Sequence, residues 1–211
     1  MGNTLLAFDN LADGAVLSGG AWQVNLPLTN LQNEEQGVVA RSVDDSEAST
    51  RFNVDLQASR MVRAIAIPAH NISLQAGFRI RGGSDPDFVT NAFDSGELDA
   101  WPSIYPFGSV PFGADNWWGG KPTERDRRGV NPTLVYVLPQ SMLARRLRVE
   151  VFDEGNADGF IQAGRLFVAD GWQPSFNVTV GSLGHSWEDQ SLLTAALSGA
   201  EYADVRAKRR V

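Results

Sequence analysis

The sequence contains no cysteine. That excludes a disulfide framework, thiolate metal sites and a cysteine nucleophile. Histidine is nearly as scarce: among 211 residues only His70 and His185 carry an imidazole. Two isolated histidines cannot build a three-histidine zinc site, and no H-E-x-x-H motif is present. Neither a G-x-S-x-G nucleophile elbow nor a phosphate-cradling Walker loop occurs. No apolar run approaches the ~20 residues needed to span a bilayer. Residues 1–20 lack the basic start and sustained apolar stretch of a secretory leader, so a soluble protein made in the cytoplasm is expected. Lysine is rare beside arginine.

The charge that is present is uneven. The net charge is −7, with 14 acidic and 6 basic residues in 1–120 against 11 and 12 in 121–211. The acidic first half argues against nucleic acid as a partner. One run is strongly basic: Arg206, Lys208, Arg209 and Arg210. It reads either as a solvated chain end or as a tail that docks on an acidic neighbour.

Hydrophobic residues make up 43% of the chain, enough for one packed domain with a sizeable core. Gly, Pro, Asn and Asp punctuate the sequence, which favours many short strands over long helices. No short repeat or low-complexity linker is expected. Residues 21–28 (AWQVNLPL) and 51–56 (RFNVDL) alternate, with Trp22, Val24 and Leu26, then Phe52, Val54 and Leu56, predicted inward. Residues 61–67 (MVRAIAI) suit a buried strand, and 78–81 (FRIR) a half-buried one. Further strands are predicted at 133–138 (TLVYVL), 146–152 (RLRVEVF), 162–168 (QAGRLFV) and 176–180 (FNVTV). In 146–152, Leu147, Val149 and Val151 share one face. Eight or so strands with one wet face each predict an antiparallel two-sheet sandwich. Residues 191–197 (SLLTAAL) fit a short helix or a strand edge.

Residues 84–132 differ from the rest. This stretch is long and rich in Pro, Gly and aromatics: Trp101, Tyr105, Phe107, Phe112, Trp117 and Trp118. Long irregular loops in compact domains are mostly functional or interfacial, though a loop capping the sandwich end is the plainer alternative.

Catalytic chemistry has little to work with. His70 lies in Pro68-Ala69-His70-Asn71, where a hydrogen-bonded turn histidine is expected rather than a general base. The carboxylates Asp44, Asp45 and Glu47, Asp85 and Asp87, and Asp153, Glu154 and Asp158 fall in three loops. Asp in loops mostly bonds its own backbone. Asp44, Asp45 and Glu47 carry oxygen ligands that Ca²⁺ would accept, but their spacing fits no EF-hand. The expectation is therefore no catalysis, no cofactor and no metal, with those three acids the one weak candidate.

The strand order carries a resemblance. Asp44-Asp45-Ser46-Glu47-Ala48-Ser49-Thr50-Arg51-Phe52 leads into Val54-Asp55-Leu56. Next come Arg60 to Ile67 and Phe78-Arg79-Ile80-Arg81-Gly82-Gly83-Ser84-Asp85. Later Ala144-Arg145-Arg146-Leu147-Arg148-Val149-Glu150-Val151 and Gly164-Arg165-Leu166-Phe167-Val168 appear. Over roughly 25–172 this resembles the discoidin, or coagulation factor type C, group of galactose-binding-like jelly rolls. Two positions depart from it: Phe52 replaces the usual Trp, and Arg146 replaces the usual aromatic. The resemblance implies an all-β jelly-roll sandwich over 1–175 and a C-terminal extension over 176–211 that docks to neighbouring subunits.

A narrower resemblance rests on Trp101-Pro102-Ser103-Ile104-Tyr105-Pro106-Phe107-Gly108, Asn116-Trp117-Trp118-Gly119-Gly120 and Gly171-Trp172-Gln173-Pro174. It is similar to tail proteins of long-tailed bacteriophages. That implies a structural protein of the virion, in a tail tip or baseplate, contacting other tail proteins and copies of itself in a symmetric ring. Host-surface carbohydrate is a further expected contact, and a free carbohydrate-binding module is the alternative. Expected contact residues are Trp101, Tyr105, Phe107, Trp117, Trp118, Arg206, Arg209 and Arg210.

Overall fold

The computed structural model describes residues 3–128 and 130–177, together with four short strands beyond them. In chain order the strands are β1 (Leu6–Ala7), β2 (Val16–Ser18), β3 (Ala40–Arg41), β4 (Phe52–Pro68), β5 (Gly77–Gly83), β6 (Phe93–Asp94), β7 (Leu98–Asp99) and β8 (Thr133–Phe152). Then come β9 (Gln162–Ala163), β10 (Phe167–Ala169), β11 (Gly171–Trp172), β12 (Trp187–Glu188), β13 (Leu192–Ala195), β14 (Glu201–Asp204) and β15 (Arg209–Arg210). Two single-turn helices, α1 (Glu47–Thr50) and α2 (Glu124–Arg127), lie between them.

Two long strands organise the sandwich. β4 and β8 pair antiparallel along their lengths, with register shifts between Asp55 and Arg60 and between Val62 and Ala64. Gln57 sits in the first shift with a positive φ of 63°. Bulges of this kind bend and twist a strand pair. Before the bend, β2 adds to the free edge of β4 and β5 adds to β8, with β6 and β7 beyond. After the bend, β10 takes the free edge of β4. The same two strands thus serve both layers.

One core lies between the layers. From the first come Phe52, Val54, Phe78, Ile80, Leu147, Val149 and Val151; from the second Val62, Ile65, Ile67, Leu134, Leu138 and Val168. The sequence alternation thus places these side chains inward where one sheet face is covered. Phe52, standing where the resemblance has Trp, is buried and meets the edge of Trp22 at 6.0 Å.

Several predicted elements are corrected. Residues 61–67 are not a separate strand but the continuation of β4 from Phe52, and 133–138 runs unbroken into 146–152 as β8. Residues 162–168 divide into β9 and β10. Residues 21–28 form no strand: Trp22 makes a single bridge to Ser42, and Val24 is 94% exposed. Proline at position 27 has no N–H to give a ladder, and a 3₁₀ turn at Leu28–Gln32 buries Leu28 and Leu31 instead. Of the two alternatives for 191–197, the strand holds, as β13; residues 178–180 of the predicted strand at 176–180 lie outside the described residues.

The chain separates into two compact units. Residues 6–172 form the sandwich, and 173–211 join residues 1–5 in a second unit. In that second unit Gln173 and Asn3 bond across, as do Thr4 and Asn177. It also contains two antiparallel pairs, β12 with β15 and β13 with β14. This second unit thus draws on both residues 1–5 and residues 173–211.

The outward face of the first layer is a polar ladder. Arg81 lies opposite Arg148, which lies opposite Asn53 and donates to its Oδ1 at 2.8 Å. Arg81 meets the buried Glu150 at 2.5 Å. Phe88 stacks on the Arg148 guanidinium at 4.3 Å, and Arg146 donates to the Ser84 carbonyl at 2.7 Å. These contacts pin the start of the long loop to the sheet.

Candidate functional site

The long loop has a packed root and an exposed tip. At the root, the Trp101 indole N–H donates to the Ile72 carbonyl at 3.0 Å, and its ring meets the edge of His70 at 5.7 Å. His70 is buried and its Nδ1 accepts the Ile72 N–H at 3.2 Å, the turn role expected of it. Burial, aided by Arg127, pushes its pKa down from 6.5 to about 4, with Asp153 pulling the other way. It is a neutral structural imidazole at neutral pH.

The middle of the loop closes on itself at Gly120. The Ile104 and Tyr105 N–H groups both donate to the Gly120 carbonyl, at 2.9 and 3.0 Å. Gly120 has φ +57°, and a Cβ there would strike the Tyr105 carbonyl. Asn116 donates to the Lys121 carbonyl at 2.9 Å, and Lys121 reaches Asp99 at 2.9 Å. Thr123 and Asp126 form a reciprocal capping box on α2. Hydrogen bonds from Thr123 lead those that hold the Asp126 carboxyl below its usual range, and one from Tyr105 adds to them.

At the tip the chain makes two turns of one design. Pro106-Phe107-Gly108-Ser109 and Pro111-Phe112-Gly113-Ala114 each return an N–H to the proline carbonyl, at 3.0 and 3.1 Å. Gly108 and Gly113 both have φ +84°, the signature of a type II turn. Each turn projects its phenylalanine: Phe107 is 79% and Phe112 87% exposed. Both rings rest on Trp117, at 5.5 and 5.1 Å, and Trp118 packs on it edge-on at 4.4 Å while remaining 86% exposed.

Beside this tip opens a cleft of about 690 Å³. Gln75 comes from the turn before β5, and Asp115, Asn116, Lys121, Glu124 and Arg125 from the loop. The lining carries equal numbers of acidic and basic groups, and Lys121 is already paired to Asp99. Planar amides and carboxylates beside exposed rings are the equipment for binding hydroxyl-rich molecules with one apolar face.

The other candidates stand elsewhere. Asp44 accepts from the Ser46 N–H and hydroxyl, at 3.0 and 2.6 Å, which holds its carboxyl below the usual range. Asp45 accepts from the Gly155 and Asn156 N–H groups, and Glu47 faces Arg51 at 3.7 Å. Among the described residues no three acidic or histidine side chains gather as a metal site. Asp85 accepts from the N–H groups of Asp87, Val89 and Thr90, and Asp153 from Ser73 and Asn156. Arg209 and Arg210 form β15; Arg206 and His185 lie outside the described residues. Of the expected aromatic contacts, Phe107, Trp117 and Trp118 meet at the tip, Tyr105 lies at the closure and Trp101 at the root. The sequence reading names Phe112 among the loop aromatics but not among the contacts, and it misses the doubled turn, although Pro-Phe-Gly repeats in plain view at 106–108 and 111–113.

Neither a protein-family profile nor a curated protein matches this sequence. Solved structures do match in fold. The family 32 carbohydrate-binding module of C. perfringens NanJ, in complex with galactose, is 13% identical with a TM-score of 0.50, covering 79% of this chain and 100% of its own. The lectin domain of lectinolysin, complexed with Lewis b antigen, is 12% identical with a TM-score of 0.50, covering 81% and 100%. A fucose-binding module of Streptococcus pneumoniae is 11% identical with a TM-score of 0.50, covering 77% and 98%. Residues 6–172 are thus an antiparallel β-sandwich, and the chain shares its fold with these modules.

Proposed function

We propose that this chain is a non-catalytic carbohydrate-binding module whose ligand occupies the cleft beside the aromatic tip. The observation that carries this reading is the adjacency of a polar, charge-balanced cleft to exposed rings on a loop closed at Gly120. Sugar hydroxyls take the amides and carboxylates, and the apolar sugar face takes Trp118. The carbohydrate ligands of several proteins with this fold support the same reading. Calorimetric titration with a panel of neutral mono- and disaccharides tests it. Binding that Asn116→Ala or Gln75→Ala weakens is expected; a panel with no binder sinks the proposal.

A second reading is favoured by the unit built from both chain ends. Its two strand pairs, β12 with β15 and β13 with β14, are two-stranded sheets, which are marginal in isolation and present edges that another chain can extend. That suits a structural subunit of a bacteriophage tail tip or baseplate, assembled with tail proteins and copies of itself in the virion. The two readings are compatible, since a tail-tip module can also touch host glycans. Light scattering and electron microscopy of the purified chain test the second: rings support it. Strictly monomeric protein, with normal particles formed in its absence, rejects it.

A further inference from the structure

The twin turns at the loop tip are more than single-sugar binding requires. Each uses the same four-residue design, the same positive φ at glycine and the same outward phenylalanine. Among the described residues, none beyond the immediate chain neighbours comes within 4 Å of the place either glycine's Cβ would occupy, so crowding does not dictate the repetition. Both phenylalanines lean on Trp117, yet neither is covered. Contiguous exposed apolar surface of this kind marks a contact site.

The rings do not form a flat platform. Their planes stand at 58°, 80° and 84° to Trp117 for Phe107, Phe112 and Trp118. One sugar can cover one such face. A run of sugars can meet several in succession. The chain also connects tip to cleft directly, since Ala114 ends the second turn and Asp115 and Asn116 line the cleft. From Ala100 to Ala114 there is no charged residue.

Resting on the carbohydrate reading, we infer that the ligand is an uncharged oligosaccharide chain. One end occupies the cleft against Trp118, and the following units run over Phe107 and Phe112. The tip is a second, length-reading element of the site. Held by its own turns and by Trp117, it orders little on binding, so each added contact converts efficiently into affinity.

The test is calorimetric titration of the full chain with two homologous series, neutral gluco- and galacto-oligosaccharides, each from monosaccharide to hexasaccharide. Affinity is expected to rise by about tenfold along the preferred series, the effect of one well-made contact region. Phe107→Ala combined with Phe112→Ala is expected to remove that gain, so that monosaccharide and hexasaccharide bind the variant with equal affinity, at an unchanged melting temperature. Both side chains are solvent-exposed, so a fold defect is not expected, and circular dichroism checks it. Asn116→Ala is expected to weaken every length alike. Affinity independent of length, or a length gain that survives the double variant, overturns the inference and leaves the carbohydrate reading standing. A double variant that changes only the oligomeric state makes the tip a protein interface and also overturns it. No binding at any length removes the carbohydrate reading and the inference together.

Discussion

The sandwich and the loop that leaves it after Ser84 treat large apolar side chains in opposite ways. In the sandwich, Ile80, Leu147 and Val149 are sealed from water by strands on both sides. In the loop, Phe107, Phe112 and Trp118 face solvent although the backbone beneath them is heavily bonded. Rigidity therefore has different sources in the two regions. The sandwich is held by buried area, which contributes roughly 25 cal/mol per Å². The loop is held by backbone closure at Gly120, the capping box of α2 and the Trp101 anchor. Burial in one region supports stability; in the other, large apolar rings stay exposed.

The widest separation between the two regions is expected from Leu147→Ala. This side chain is fully buried between β4 and β5, so truncation leaves a cavity as well as lost contacts. A loss of about 3 kcal/mol of unfolding free energy is expected. Urea denaturation followed by tryptophan fluorescence measures it. A loss comparable to that of a tip variant would mean that the core is not where the sandwich derives its stability.

Next comes acid. His70 joins the regions, touching Trp101 of the loop from the turn after β4. Its imidazole is neutral in the folded protein down to about pH 4, whereas the unfolded chain protonates near 6.5. Between these values the unfolded state binds the extra proton. Stability is thus full above 6.5 and drains as pH falls toward 4, by about 3 kcal/mol at most. The carboxylates titrate in this window too, so the quantity to measure is the difference between the parent and His70→Gln. The parent should lose more on acidification; parallel curves would show that His70 does not govern the root.

How much of this was legible in the sequence follows from the same division. Alternation in 146–152 identified Leu147, Val149 and Val151 because one face there is covered. The same alternation in 21–28 misled, because Pro27 lies in that stretch and no strand pairs along it. Residues 57–60 looked like a break between strands, whereas bulges keep β4 continuous through them. In the loop the Trp-Trp pair drew notice at once. That Trp101 is an anchor and Trp118 a free ring depends on a carbonyl of Ile72, brought near only by folding. The cleft joins Gln75 to Asn116 across the fold, a pairing that no local pattern encodes.

Gly120→Ala falls between core and tip. A side chain at φ +57° is strained, and this one would also push against the Tyr105 carbonyl. A loss of about 2 kcal/mol is expected. Because Asn116 and Lys121 flank the closure, saccharide binding should fall as well. Unchanged stability and binding would show that the loop does not depend on this closure.

The smallest stability effect belongs to the most conspicuous residue. Among the described residues the one ring contact of Trp118 is with Trp117, and most of its surface meets solvent. Removing it forfeits one edge-on contact and returns little area to water. Trp118→Ala should therefore keep the unfolding free energy within about 0.5 kcal/mol. A tryptophan this exposed is hard to explain by folding, because the folded state gains almost nothing from it. If the variant is as stable as the parent and loses affinity for saccharide, exposure at the tip is the expression of function. If it unfolds readily, Trp118 is structural after all, and the distinction between sealed sandwich and open loop fails at the residue that most defines it.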